Sequence, residues 1–261
     1  MASQYSTLEL EKDGKTAVLW LARPEKRNSF DAQLLKDLAD AFAQVDRDPS
    51  VRVLIVSGRG QSFCAGADLS WMKQVVDYTF EQNKRDSQAI ADAFRALYSM
   101  KKPTIAAVNG AAIGGGMGFL GACDVVLASS AAVFSLSEVR LGLVPACISP
   151  FLLRRASAGA LRRYMLSGER FDAAAALRLN LVDQITAPEA LIPTAKVLAA
   201  GLAEAAPGAQ AMVKELLERV PGQPLDGALD YAVDLIAKMR AGAEAQKGMR
   251  SFLEKKSCAW D

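Results

Sequence analysis

The stretch Lys102–Glu138, KPTIAAVNGAAIGGGMGFLGACDVVLASSAAVFSLSE, constrains the fold of this chain more than any other part of it. It reads as a buried strand, a sharp turn, and a triple glycine that opens a second element. Glycines at a helix start bring bare backbone N–H groups close to a ligand, where the helix dipole favours negative charge. One carboxylate, Glu138, follows 20 positions after Gly118 in a largely apolar stretch. The earlier run SFCAGADLSWM at 62–72 offers a second backbone site of the same kind. Two donors and one carboxylate suit a reaction that passes through an oxyanion and moves a proton.

Around this stretch, apolar β-branched runs alternate with helical spacing. Ala17–Leu21, Val51–Ser57, Thr104–Val108 and Val125–Ala128 read as strands. Ser29–Val45 has the apolar spacing of a helix, with Asn28 or Ser29 as its cap, and Phe80–Met100 reads as a second helix stopped by Lys101, Lys102 and Pro103. The alternation predicts an α/β core with helices packed on sheets. After about Asp183, prolines punctuate a charged, alanine- and leucine-rich quarter that reads as helical and without strand signals. No internal repeat is visible in the sequence.

Composition removes several functions. The chain has 261 residues and no histidine. That excludes Ser–His–Asp and Cys–His nucleophile systems and argues against a zinc site. Acid–base chemistry falls to carboxylates, Lys, Tyr or Cys. Its 31 basic and 29 acidic residues leave a net charge of +2 without a basic run, which argues against nucleic acid as the main partner. The uncharged stretch Pro103–Cys123 holds six glycines, so strand, turn and buried helix is the expectation rather than a membrane span. MASQYSTLELEKDG lacks the basic and apolar regions of a signal peptide. Cys64, Cys123, Cys147 and Cys258 are scattered without metal-ligand spacing, which fits free thiols in a reducing compartment. A cytoplasmic location is therefore expected.

The blocks ARPEKRNSF at 22–30, SFCAGADLSWM at 62–72, KPTIAAVNGAAIGGGMGF at 102–119, ACDVVLASSAAVFSLSEVRLGLVP at 122–145 and FLEKKSCAW at 252–260 occur in an order and spacing that point to one family. The chain resembles the crotonase (enoyl-CoA hydratase/isomerase) superfamily along nearly its whole length. The resemblance implies a spiral α/β core of ββα units over residues 1–187, carrying a CoA-thioester site, and a C-terminal helical trimerisation region over 188–261. It also implies homotrimers, commonly paired into hexamers. Coenzyme A would enter as part of an acyl-CoA substrate, with no separate cofactor and no metal.

By position, the resemblance assigns the backbone N–H groups of Ala67 and Gly115 to an oxyanion hole and makes Glu138 the proton-transfer group. The family's two-glutamate hydratases carry another carboxylate two residues after the glycine triplet. Here Gly118 stands there, so one acid is missing and a roomier pocket is expected beside Gly114. FSLSEVRLGLVPACISPF and GADLSWMK resemble the branch of bacterial methylglutaconyl-CoA hydratases, whose substrates are branched and carry a distal carboxylate. Lys73 or Arg140 would pair that carboxylate. If Asp68 caps a helix, Leu69, Met72, Lys73 and Val76 share one face, with Leu69 and Met72 lining the acyl pocket.

Ala146 occupies the position whose N–H helps hold the catalytic water. For coenzyme A, the resemblance suggests backbone contacts from Ala65 and Ala67 to the adenine, Lys26 and Arg27 near the phosphates, and Asp68 and Leu69 as further CoA-binding positions. Phe252 and Lys255 would reach a neighbouring subunit's nucleotide. The activity implied is hydration of a 2-enoyl-CoA, or the reverse dehydration. The alternative is a Δ3–Δ2 isomerisation, for which one carboxylate suffices. An RNA-binding role, reputed for one branch, is opposed by the near-neutral charge.

Overall fold

A computed structural model of the chain describes residues 5–260. The first four residues of the segment read for a signal peptide lie outside them. The strands are β1 Leu8–Asp13, β2 Thr16–Leu21, β3 Val53–Gly58, β4 Ser62–Cys64, β5 Thr104–Val108, β6 Ala111–Ile113, β7 Val125–Ser129, β8 Val133–Ser135, β9 Arg170–Asp172 and β10 Gln184–Thr186. The helices are α1 Ala32–Arg47, α2 Leu69–Val75, α3 Phe80–Tyr98, α4 Gly118–Ala122, α5 Ser149–Arg155, α6 Ala158–Ser167 and α7 Ala173–Arg178. They continue as α8 Leu191–Ala203, α9 Pro207–Arg219, α10 Leu225–Ala241 and α11 Ala243–Leu253.

The strands form two sheets. The larger has the order β1-β2-β3-β5-β7-β10, and every pairing in it is parallel except β1 with β2. The smaller has the order β4-β6-β8-β9, parallel up to β8. A strand of the large sheet is thus followed three times by one of the small sheet: β3 by β4, β5 by β6, β7 by β8. The sequence shows no repeat, yet the backbone repeats this ββ step and advances by one strand each time.

The four expected strands are present, Thr104–Val108 with the expected bounds and the other three with one or both ends shifted by one or two residues. β3 and β5 are buried along their whole length, as parallel strands covered on both faces should be. The first helix departs from expectation at its start. Asp31, not Asn28 or Ser29, is the cap, its side chain accepting the Leu34 N–H. Asn28 is spent on the preceding turn, where its side chain accepts the Arg23 N–H and donates to the carbonyls of Arg59 and Ser62. The second helix is capped by Thr79 and closes at Tyr98 rather than Met100. The segment after Asp183 does contain a strand, β10, which pairs with β7 at the edge of the sheet.

Two apolar cores result. The inner one lies between the sheets and helices α1, α3 and α4, with Phe30, Phe63, Phe94 and Phe119 at its centre. The outer one is the other face of the large sheet, with Val18, Val53, Ile55, Ile105 and Leu127. α8 seals it with Leu191, Ala195, Ala199 and Ala203. No helix among the described residues is long and apolar enough to cross a membrane.

Candidate active site

Ala67, Gly115 and Glu138 follow the C-terminal ends of β4, β6 and β8, three neighbouring strands of one small sheet. Neighbouring strands lie about 4.8 Å apart, so residues just beyond their ends converge. Ligands of open α/β sheets gather at such carboxyl ends. Topology alone therefore assembles three segments that are distant in sequence.

The first two segments touch through backbone. Gly66 has φ +87, and a Cβ there would stand 2.9 Å from the Ile113 carbonyl oxygen and 3.8 Å from the Gly115 nitrogen. Only glycine allows both that left-handed conformation and that approach. Ala67 makes an isolated parallel bridge with Phe30, which bonds Gly66 O and Asp68 N at 2.7 Å each. In that pattern Ala67's own N–H points away from Phe30, and no backbone acceptor for it is found among the described residues. Gly115 lies in a 3-10 turn, Gly114–Met117, whose first N–H groups have no partner inside the turn. The turn runs into the five-residue α4, so the element behind the glycines is too short for its dipole to weigh much, and what the segment offers an anion is its bare N–H groups.

Glu138 sits on a 3-10 turn, Ser137–Leu141, closed by Gly142 in the left-handed region, and its carbonyl accepts from Gly142 and Leu143. Its carboxyl faces Gly114. A Cβ on Gly114 would come to 3.2 Å from Oε1, and φ +53 suits glycine there as well. Oε2 is buried with no hydrogen-bond partner. Burial pushes the carboxyl above its ordinary range, opposed only in part by its own backbone N–H. A buried carboxyl with a raised pKa and no ion pair among the described residues has the chemistry to take up a proton.

The chain matches the enoyl-CoA hydratase/isomerase family over residues 11–261. The chain belongs to that family. An enoyl-CoA hydratase from Shewanella pealeana superposes with a TM-score of 0.95 at 36% identity, covering 98% of this chain and 97% of its own. A short-chain-enoyl-CoA hydratase of Clostridium acetobutylicum is 33% identical over 95% of this chain and 94% of its own length. The (E)-benzylidenesuccinyl-CoA hydratase of Thauera aromatica is 33% identical over 96% and 97%.

Within this family member, the second-acid position departs from the sequence expectation. Gly118 does not leave a roomier pocket. A Cβ there would stand 2.5 Å from Phe94 Cζ and 2.7 Å from Ile148 Cγ2. The space is filled with apolar atoms from α3 and from the start of α5. The Ala146 N–H, expected to hold a water, donates instead to the Val144 carbonyl at 2.7 Å.

Asp68 caps α2 as expected, with Oδ1 accepting from Ser70 and Trp71. Burial raises its pKa, but those two N–H groups and Lys26 outweigh it, and the carboxylate lies below its ordinary range. On α2 the buried residue is Trp71, whose indole N–H donates to Asp86. Leu69, Lys73 and Val76 are exposed and Met72 is half-buried, so these four share the outer side of the helix. Lys26 Nζ lies 3.4 Å from Asp68, and Arg27 is exposed beside it. The Ala65 N–H donates to the Arg27 carbonyl at 3.0 Å, which ties this segment to the turn that carries Lys26 and Arg27. Arg140 is exposed and donates to the Ser167 carbonyl. Phe252 is 81% exposed on α11, and Lys255 just beyond it is exposed as well.

Several residues around the site carried no sequence signal. Arg23 is buried and binds Asp31 at 2.6 Å, Asp68 at 3.5 Å and the Ser29 carbonyl at 2.9 Å, joining the caps of α1 and α2. Phe94 and Ile148 are ordinary apolar residues of their elements, and only the fold brings them against Gly118.

Proposed function

We propose that the protein is a lyase that adds water to a 2-enoyl-CoA, or removes it from a 3-hydroxyacyl-CoA, with Glu138 as its one proton-transfer group. The observation that carries this reading is the half-buried Glu138 carboxyl, with Oε2 buried and without a hydrogen-bond partner, lying against Gly114 and one residue from Gly115. The thioester oxygen would accept from the Ala67 and Gly115 N–H groups. Water adds its oxygen to C3 while Glu138 takes its proton. The electron pair of the double bond moves to the thioester oxygen, and the enolate is held by the two donors. Glu138 then returns the proton to C2. Each donor is worth about 3 kcal/mol of transition-state stabilisation in sites of this type. The reaction needs no cofactor, since coenzyme A arrives on the substrate.

A branched, carboxylated acyl group such as 3-methylglutaconyl is the substrate we favour, with Lys73 or Arg140 facing its distal carboxylate. The Thauera relative is named for (E)-benzylidenesuccinyl-CoA, whose succinyl group keeps a carboxylate beyond the thioester, which supports this choice.

The apolar filling at Gly118 favours a second reading, Δ3–Δ2 isomerisation, in which Glu138 moves a proton from C2 to C4. Absorbance of the enoyl thioester separates the two. Loss of that absorbance with 3-methylglutaconyl-CoA but not crotonyl-CoA, falling about 10²–10⁴-fold in Glu138→Gln, supports the favoured hydratase. Hydration of neither, with double-bond migration in a 3-enoyl-CoA, replaces it with the isomerase.

A further inference from the structure

Both proposed donors lean on one side chain and its backbone. Phe30 receives the Asp68 N–H on its carbonyl and gives its own N–H to Gly66 O, both at 2.7 Å, so it grips the two peptides that flank Ala67. Its ring reaches the other donor. A Cβ on Gly115 would lie 3.1 Å from Phe30 Cε2, so the ring edge packs against the α-carbon of that glycine. The ring is itself held in the inner core, stacked on Phe119 at 5.9 Å and edge-on to Phe94 at 5.8 Å. Phe30 is 2% exposed, so its ring stands in the core behind the two segments. A hydrogen-bond pair that binds an oxyanion is useful only if its spacing is held before the charge develops.

We infer that Phe30 is a positioning residue that sets the spacing of the oxyanion hole, its backbone fixing the Ala67 N–H and its ring fixing the Gly115 N–H. The inference rests on the reading of Ala67 and Gly115 as donors. It goes beyond that reading in making the separation of the two depend on a residue outside the pocket. Loss of the ring edge should loosen the hole in the transition state while leaving binding of the uncharged thioester intact.

The test uses two ligands and two variants of the full chain. Acetoacetyl-CoA is a β-keto thioester whose enolate absorbs in the near ultraviolet where the keto form does not. Butyryl-CoA binds without forming an enolate. Phe30→Leu and Phe30→Met keep apolar bulk and the backbone bonds but withdraw the ring edge from Gly115, so the test survives if one of them misfolds. The expected result is an enolate signal on the wild type that falls about tenfold at equal occupancy in the variants, with kcat falling about 10–100-fold. KM and butyryl-CoA affinity should change less than about twofold.

Folded variants that keep the wild-type kcat and enolate signal overturn the inference. So does a parallel loss of kcat and butyryl-CoA affinity, which would mark general loosening of the core. A wild type that binds butyryl-CoA yet raises no enolate signal overturns the donor reading itself, and the inference with it. A wild type that binds neither thioester does the same.

Discussion

Glu138 holds a carboxyl group among apolar atoms with one oxygen buried and partnerless, and two measurable consequences follow from its raised pKa. The ionised form must accept a proton from water, so kcat/KM falls as pH drops through that raised value. The acid limb should lie above the ordinary carboxylate range of about 4, and a limb at or below that range would contradict the burial. The second consequence concerns stability. A carboxyl whose folded pKa exceeds its unfolded one contributes stability below the unfolded value and loses it as pH rises through the folded value. Glu138→Gln should therefore melt higher than the wild type at about pH 8, with the gain shrinking toward about pH 4. Equal melting points at the higher pH would show that the carboxylate is well solvated.

Gly118 has an ordinary helical conformation, with φ −59 and ψ −33, so nothing in α4's backbone demands glycine. Alanine would favour the helix by about 1 kcal/mol; the obstacle is the Phe94 ring of α3 and Ile148 just before α5. Gly118→Ala should destabilise by about 1–3 kcal/mol through overpacking, and the same change in a Phe94→Leu background should cost clearly less. Urea titrations of the four proteins measure that coupling; additive effects would mean that the ring does not set the limit. Restoring an acid by Gly118→Glu alone should fail for the same reason.

The limit of sequence reading shows at this element. β3, β5, α1 and α3 are long and strongly patterned, and their type and approximate extent were legible. Glu138, Ala67 and Gly115 stand out in the sequence through motif and resemblance, and the fold sets their segments at neighbouring strand ends. β4, β6, β8, β9 and β10 have three residues each, too few for a periodicity, and their pairing comes entirely from distant strands. The filling of Gly118 by residues 24 and 30 positions away is a property of packing, and no spacing within the glycine run encodes it.

At the scale of the molecule, α10 and α11 leave an apolar surface uncovered in the single chain. Leu225, Leu229, Val233 and Ile236 lie along α10 at helical spacing and are all about half exposed or more, and Phe252 and Leu253 end α11. The trimer implied by the resemblance would cover such a face. Light scattering should give a mass of three or six chains, and Val233→Glu should shift it toward the single chain with activity reduced. A wild type that runs as a monomer would leave this face without its expected partner.

The outer core has a different consequence, one of timing. Val53, Ile55, Ile105 and Leu127 are synthesised well before the helix that seals them, Leu191–Ala203. At about 5–20 residues per second, the ribosome needs roughly 7–30 s to travel from β3 to α8. The complete sheet face, which needs β7, stays bare for about the last half of that interval, and the growing chain should then be a client for chaperones that wait at the exit tunnel.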